Sequence, residues 1–279
     1  MREGAAFTIF LLAVIAAACG TSRPLPTARA TASAPETAPS AEPSAELVAA
    51  PSASASEEPI ASASAAPAVE DAPVAPVTIE IPKDKKVHVV FAKPGNPHVF
   101  VYLHGRCGDP LAFRAFAKIL PQRGTLVAMR GDIKCEGGQP NWSNDVMLLD
   151  ARIKKALEVV EEKRGEPLDK DHLVAIGYSA GALRAESLST RYPDRYPRVI
   201  LIGGPRAPKP GNLGKTERIL LMAGELDVRK PLRDASADYV KAGRVSRFIE
   251  IPGAKHGEYG PEAEATMSDA LDWIAANDP

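Results

Sequence analysis

The chain has 279 residues and a formal net charge of −1, so no global basic field calls for nucleic acid or an anionic membrane surface. Apolar residues make up 45% of it, but alanines crowded into the first quarter inflate that figure. The chain has to be divided before its core is judged.

Residues 1–18 carry an arginine near the start and then an apolar stretch, Ala5 to Ala18, ending in Ala16-Ala17-Ala18-Cys19-Gly20. The stretch is too short to span a bilayer and has the layout of a secretory signal. It resembles a bacterial lipoprotein signal, in which small residues precede a cysteine that is acylated and becomes the first mature residue. That resemblance implies a lipidated Cys19, and Ala16 departs from it where the pattern prefers leucine. An ordinary signal peptide cut near the same place is the alternative. Both place the mature protein outside the cytoplasm, periplasmic or at the cell surface; the lipoprotein reading adds a lipid anchor at Cys19 as its membrane contact. Residues 19–76 are almost wholly Ala, Pro, Ser, Thr and Glu. Such a segment cannot offset its own ordering entropy, so it is expected to be a disordered tether biased toward extension by its prolines. Residues 77–279, close to 200 in number, are enough for one well-buried core.

In that part Val77–Ile81 and Val87–Phe91 read as a hairpin at a sheet edge, and His98–Leu103 as a buried strand ending in His104-Gly105-Arg106-Cys107. Leu111–Leu120 has helical spacing, Thr125–Met129 is a strand, and a long loop covers Arg130 to Asn144. A helix is expected from Asp145 to Arg164, with Val146, Leu149, Ile153, Leu157 and Val160 on one face. Arg198–Ile202, Arg218–Ala223 and Arg247–Ile251 read as strands, and Pro231–Ala242 and Pro261–Ala276 as helices. Strands alternating with helices after an opening hairpin predict an α/β fold, a mostly parallel sheet covered by helices on both faces.

The stretch Leu173–Gly181, Leu-Val-Ala-Ile-Gly-Tyr-Ser-Ala-Gly, is the one most informative about chemistry. An apolar β-branched run is followed by Gly-x-Ser-x-Gly and then by a helical pattern. Strand, sharp turn and helix form the context in which that pentapeptide reads as a nucleophile elbow, with Ser179 on the bend. The reading against it is an ordinary glycine-rich turn.

On these residues the domain resembles the α/β-hydrolases, in particular the compact carboxylesterase and dienelactone-hydrolase-like members that lack a large lid. The resemblance implies that an acid and then a histidine follow the serine, each after a later strand. Gly224-Glu225-Leu226-Asp227 followed by Pro231 is similar to the acid loop and nominates Asp227, with Glu225 as competitor. Of five histidines, His256 alone follows both serine and acid in a glycine-flanked loop. The chemistry needs these types: imidazole takes the serine proton, and the carboxylate fixes the tautomer and steadies the imidazolium. One oxyanion donor is expected to be the Ala180 N–H. The second is expected in the His104-Gly105-Arg106 turn, from Arg106, with Cys107 as alternative. Trp142 and Tyr178 are candidates for the substrate pocket, packing as core being the other reading of each.

Cys107 and Cys135 lie in loops expected at the same end of the sheet, and in an exported protein such a pair is expected to be bridged. No further Cys or His cluster accompanies them, so no metal is expected, and no cofactor either. No segment long enough for a lid domain interrupts the fold, Gly203–Glu217 being the one sizeable insertion candidate. An open site accessible to bulky or polymeric substrates is therefore expected, with a small-molecule or polymeric ester as partner. The reading is an exported serine hydrolase of carboxylic esters. Its alternatives are a peptidase or amidase of the same fold, and a surface lipoprotein whose hydrolase fold serves only to bind.

Overall fold

A computed structural model describes residues 74–276. The signal expected at 1–18, Cys19 and nearly all of the tether at 19–76 lie outside the described residues.

Eight strands form one sheet: β1 (Val77–Ile79), β2 (Val87–Val90), β3 (Val99–Leu103), β4 (Thr125–Met129), β7 (Val174–Tyr178), β8 (Arg198–Ile202), β9 (Arg218–Gly224) and β10 (Val245–Ile251). Their order across it is β1-β2-β4-β3-β7-β8-β9-β10. β1 pairs antiparallel with β2, and β2 antiparallel with β4; from β4 to β10 every pairing is parallel. The opening hairpin is therefore the edge of an otherwise parallel sheet, as the alternation of elements predicts.

Both faces of the sheet are buried, which is why the central strands read as unbroken apolar runs. On one face Val101, Leu103, Ala175, Leu201 and Leu221 pack under α1 (Val146–Arg164), α2 (Ala180–Arg191) and α3 (Lys230–Lys241). On the other face the intervening residues, Phe100, Tyr102, Ile176, Ile200 and Met222, pack against α4 (Ala263–Ala275) and the segment Ala112–Ile119. That segment is 3-10 rather than α-helical and breaks at Phe116, so the helical spacing of 111–120 overstates its regularity. α1 starts where Asp145 accepts the Leu148 N–H, and it stops at Gly165 in the left-handed conformation. The loop after β4 is partly ordered as a two-stranded ribbon, β5 (Ile133–Lys134) with β6 (Pro140–Asn141).

The chain runs from β3 outward to β4, then returns to lay β7 on the other side of β3. The sequence of strands thus reverses between β3 and β7, and the loops leaving their carboxyl ends part there. In open parallel sheets such a crevice is where ligands bind.

Candidate active site

Ser179 follows β7 directly, at φ 52 and ψ −113, and its own N–H bonds the Ile202 carbonyl. A non-glycine residue in that region is strained and persists only when its surroundings hold it. The glycines on either side show why the bend is so tight. A Cβ on Gly177 would sit 2.2 Å from the Gly181 carbonyl oxygen, and one on Gly181 would sit 2.0 Å from the Leu103 carbonyl oxygen. Strand β3, the bend and the start of α2 are in backbone contact, so only glycine fits at both places. α2 begins at Ala180, and its leading N–H groups and positive dipole end lie beside the Ser179 hydroxyl.

The loops after β9 and β10 meet this hydroxyl. His256 Nε2 lies 3.0 Å from Ser179 Oγ, and His256 Nδ1 lies 2.8 Å from Asp227 Oδ2. A carboxylate can only accept, so Nδ1 carries the proton and Nε2 is left to receive the serine O–H. Asp227 Oδ1 accepts the Val228 N–H at 2.7 Å, which fixes the carboxylate plane. The Asp227 side chain is 12% exposed and that of His256 50%. Glu225, the competing acid, faces away and accepts the Gly253 N–H at 2.9 Å. Gly203, at φ 54 after β8, packs against the pair: a Cβ there would be 3.4 Å from both Asp227 Oδ2 and His256 Cε1.

The turn after β3 is held from behind. His104 is fully buried, with Nδ1 donating to the Gly105 carbonyl at 2.6 Å and Nε2 accepting the Gly131 N–H at 3.0 Å. Burial pushes its pKa down to about 4, so the ring is neutral. Trp142, for which pocket lining and core packing were both open, is buried behind this turn. Its ring lies 4.6 Å from the His104 ring and its indole N–H donates to the His104 carbonyl at 2.8 Å. A buried indole needs an acceptor, and the turn supplies one. A disulfide joins Cys107 to Cys135, Cα atoms 5.8 Å apart, and ties the same turn to the β5–β6 ribbon. Cys107 itself stands at φ 54.

A cleft of about 150 Å³ opens beside Ser179, bounded by Gly105, Arg106, Tyr102, Tyr178, Tyr259 and His256. Arg106 and Tyr178 are thus at the cleft, as is Gly105, which the sequence did not single out. Tyr259 was also missed: its hydroxyl donates to that of Tyr102 at 3.1 Å, and its ring meets Tyr178 edge to face at 5.5 Å. A loop aromatic carries no signal of its long-range partner in the sequence. A larger hollow of about 390 Å³ lies away from Ser179, between Pro208, Pro210, Ala235 and Tyr239, and presents no nucleophile. Among the described residues no cluster of three or more His, Cys, Asp or Glu is arranged to hold a metal ion, and no helix is long and apolar enough to cross a membrane.

No protein-family model matches the sequence, and no curated protein matches it. Solved structures do. A carboxylesterase of Bacillus cereus is 22% identical, with 67% of this chain and 93% of that one covered and a TM-score of 0.50. A fluorophosphonate-binding serine hydrolase of Staphylococcus aureus is 12% identical, with 72% and 98% covered and a TM-score of 0.51. A dienelactone hydrolase of Anabaena variabilis is 19% identical, with 71% and 94% covered and a TM-score of 0.50.

Proposed function

We propose, starting from the α/β-hydrolase fold that the chain shares with these structures, that it is an exported serine hydrolase of carboxylic esters. The observation that carries the reading is the unbroken run of contacts from Asp227 through His256 to Ser179, at 2.8 and 3.0 Å. In this reading Ser179 Oγ attacks the ester carbonyl carbon as its proton passes to His256 Nε2. The carbonyl oxygen becomes an oxyanion, held by the Ala180 N–H and the Arg106 N–H; one such donor is worth about 3–4 kcal/mol. Collapse breaks the bond to the alcohol oxygen, which takes the proton from His256 and leaves an acyl group on Ser179. Water, deprotonated by the same imidazole, attacks the acyl carbon, releases the acid and restores the serine O–H. Asp227 holds the Nδ1 proton throughout and steadies the imidazolium. The step sequence calls for no cofactor.

The cleft fits an ester presented from outside. The cleft is small beside the serine, yet half of the His256 side chain is open to solvent. Small or polymer-borne acyl groups are the substrate class this suits. Export through the signal at 1–18, with lipidation at Cys19 and a tether to residue 76, agrees with a disulfide between Cys107 and Cys135, since such bonds persist in oxidising compartments. The test is turnover of short-chain p-nitrophenyl esters by the purified protein and by Ser179→Ala. The reading expects hydrolysis by the first alone; equal rates, or none from either across a panel of acyl esters, would contradict it.

A further inference from the structure

The His256 turn has little regular structure to hold it. It lies between β10 and α4, and three of its glycines stand in the left-handed region: Gly253 at φ 63, Gly257 at φ 95 and Gly260 at φ 70. Its start is tied down, because the Leu226 N–H bonds the Ala254 carbonyl at 2.9 Å and Gly253 bonds Glu225. Past His256 the hydrogen bonds of Lys255 with Glu258 join only residues of the turn to one another. On that side two hydroxyls tie it to the sheet: that of Tyr259, which donates to Tyr102, and, next to His256, that of Tyr178. The Tyr178 hydroxyl accepts the Gly257 N–H at 2.7 Å and donates to the Glu258 carbonyl at 3.3 Å. The ring beneath it is buried and meets the His256 imidazole edge to face, centroids 5.8 Å apart.

We propose that Tyr178 is a positioning residue: its hydroxyl clamps the Gly257 N–H and the Glu258 carbonyl, just past His256, and so keeps Nε2 in line with Ser179 Oγ. This goes beyond pocket lining and rests on the reading of Ser179 as nucleophile. Tyr178 is the last residue of β7 and Ser179 the next in the chain. One rigid strand end therefore carries both the hydroxyl that reacts and the hydroxyl that registers its base. Errors in the placement of one are shared by the other, and the distance between them is kept. Burial raises the pKa of the Tyr178 phenol, so the clamp keeps its proton through the neutral range.

The test is Tyr178→Phe in the full-length protein, which keeps the ring and removes only the clamp. Three quantities are read: kcat and KM for p-nitrophenyl acetate per fluorophosphonate-titrated site, the thermal midpoint, and the low-field proton resonance of His256 Nδ1–H. A positioning role predicts kcat lowered about tenfold, the typical worth of one hydrogen bond, with KM within about twofold. It also predicts a broadened Nδ1–H signal and a midpoint lowered by no more than about 4 °C. An active wild type matched by Tyr178→Phe in kcat overturns this proposal alone, as does a loss confined to KM, which would mark simple pocket lining. An unfolded Tyr178→Phe would make the hydroxyl a stability element and overturn it too. An inactive wild type overturns the reading of Ser179 and this inference with it.

Discussion

Removing the Cys107–Cys135 bridge is a perturbation whose size follows from the chain itself. The bond joins residues 28 apart in sequence. The chain-entropy relation for a closed loop of that length gives about 3.6 kcal/mol of lost stability near room temperature. For a domain of about 200 residues, each kcal/mol moves the midpoint by about 2–4 °C, so the expected fall is about 7–14 °C. The double variant Cys107→Ser/Cys135→Ser is preferable to a single one, which leaves a thiol free to react elsewhere. Calorimetry of this variant, with thiol titration to prove the bridge was closed in the wild type, reads the number. Activity should fall as well, because Cys107 follows Arg106 directly and its left-handed conformation sets the path of the turn facing Ser179. A midpoint within about 2 °C of the wild type would refute the reasoning. It would mean that the unfolded chain already keeps these two positions close without the bridge.

The remaining expectations concern the pieces around the serine. Asp227→Asn keeps the shape and loses the acceptor for Nδ1–H, so kcat for ester hydrolysis should drop about 10⁴-fold with KM little changed, measured by steady-state kinetics. Gly203→Ala forces a side chain onto φ 54, with its Cβ just in contact with the Asp227–His256 pair; urea unfolding should show a loss of about 1 kcal/mol, and kcat should fall as the backbone beside the pair shifts to relieve the strain. Acid should destabilise the domain through His104. Its folded pKa of about 4 lies below the ordinary value of 6.5, so the unfolded chain binds more protons between those limits. Stability is therefore fully present above about pH 6.5 and falls as pH drops toward 4, by on the order of 3 kcal/mol from this residue. The partly buried His88, whose pKa is also lowered by burial, adds in the same direction. In urea titrations His104→Asn should be weaker at pH 7 yet flatter between pH 6.5 and 4.5; a slope equal to that of the wild type would contradict the assignment.

Much of this arrangement was legible in the residues because it depends on local geometry. The strand, bend and helix around Ser179 announce themselves through two glycines, and the steric reason is visible in the Leu103 and Gly181 carbonyls that a Cβ would strike. The alternating burial of β3, Val101 and Leu103 to one face and Phe100 and Tyr102 to the other, turns an apolar run into a strand covered twice. Strand order was not legible, since nothing local tells β4 to lie outside β3 rather than beside β7. Residues 111–120 mislead for a related reason: Phe113 and Phe116 fill the core whether the backbone is α or 3-10, so spacing alone does not choose. Trp142 and Tyr178 looked equivalent as loop and strand-end aromatics. What separates them is where each polar tip ends, one on the His104 carbonyl and the other on the His256 turn, and those partners are 38 and about 80 residues away.

The most direct test of the account is to treat the purified protein with a fluorophosphonate and map the adduct by peptide mass spectrometry. The account predicts one phosphonyl group per chain, on Ser179, absent from Ser179→Ala and formed slowly in a His256→Ala variant. No adduct, or an adduct on another residue that survives Ser179→Ala, would contradict it.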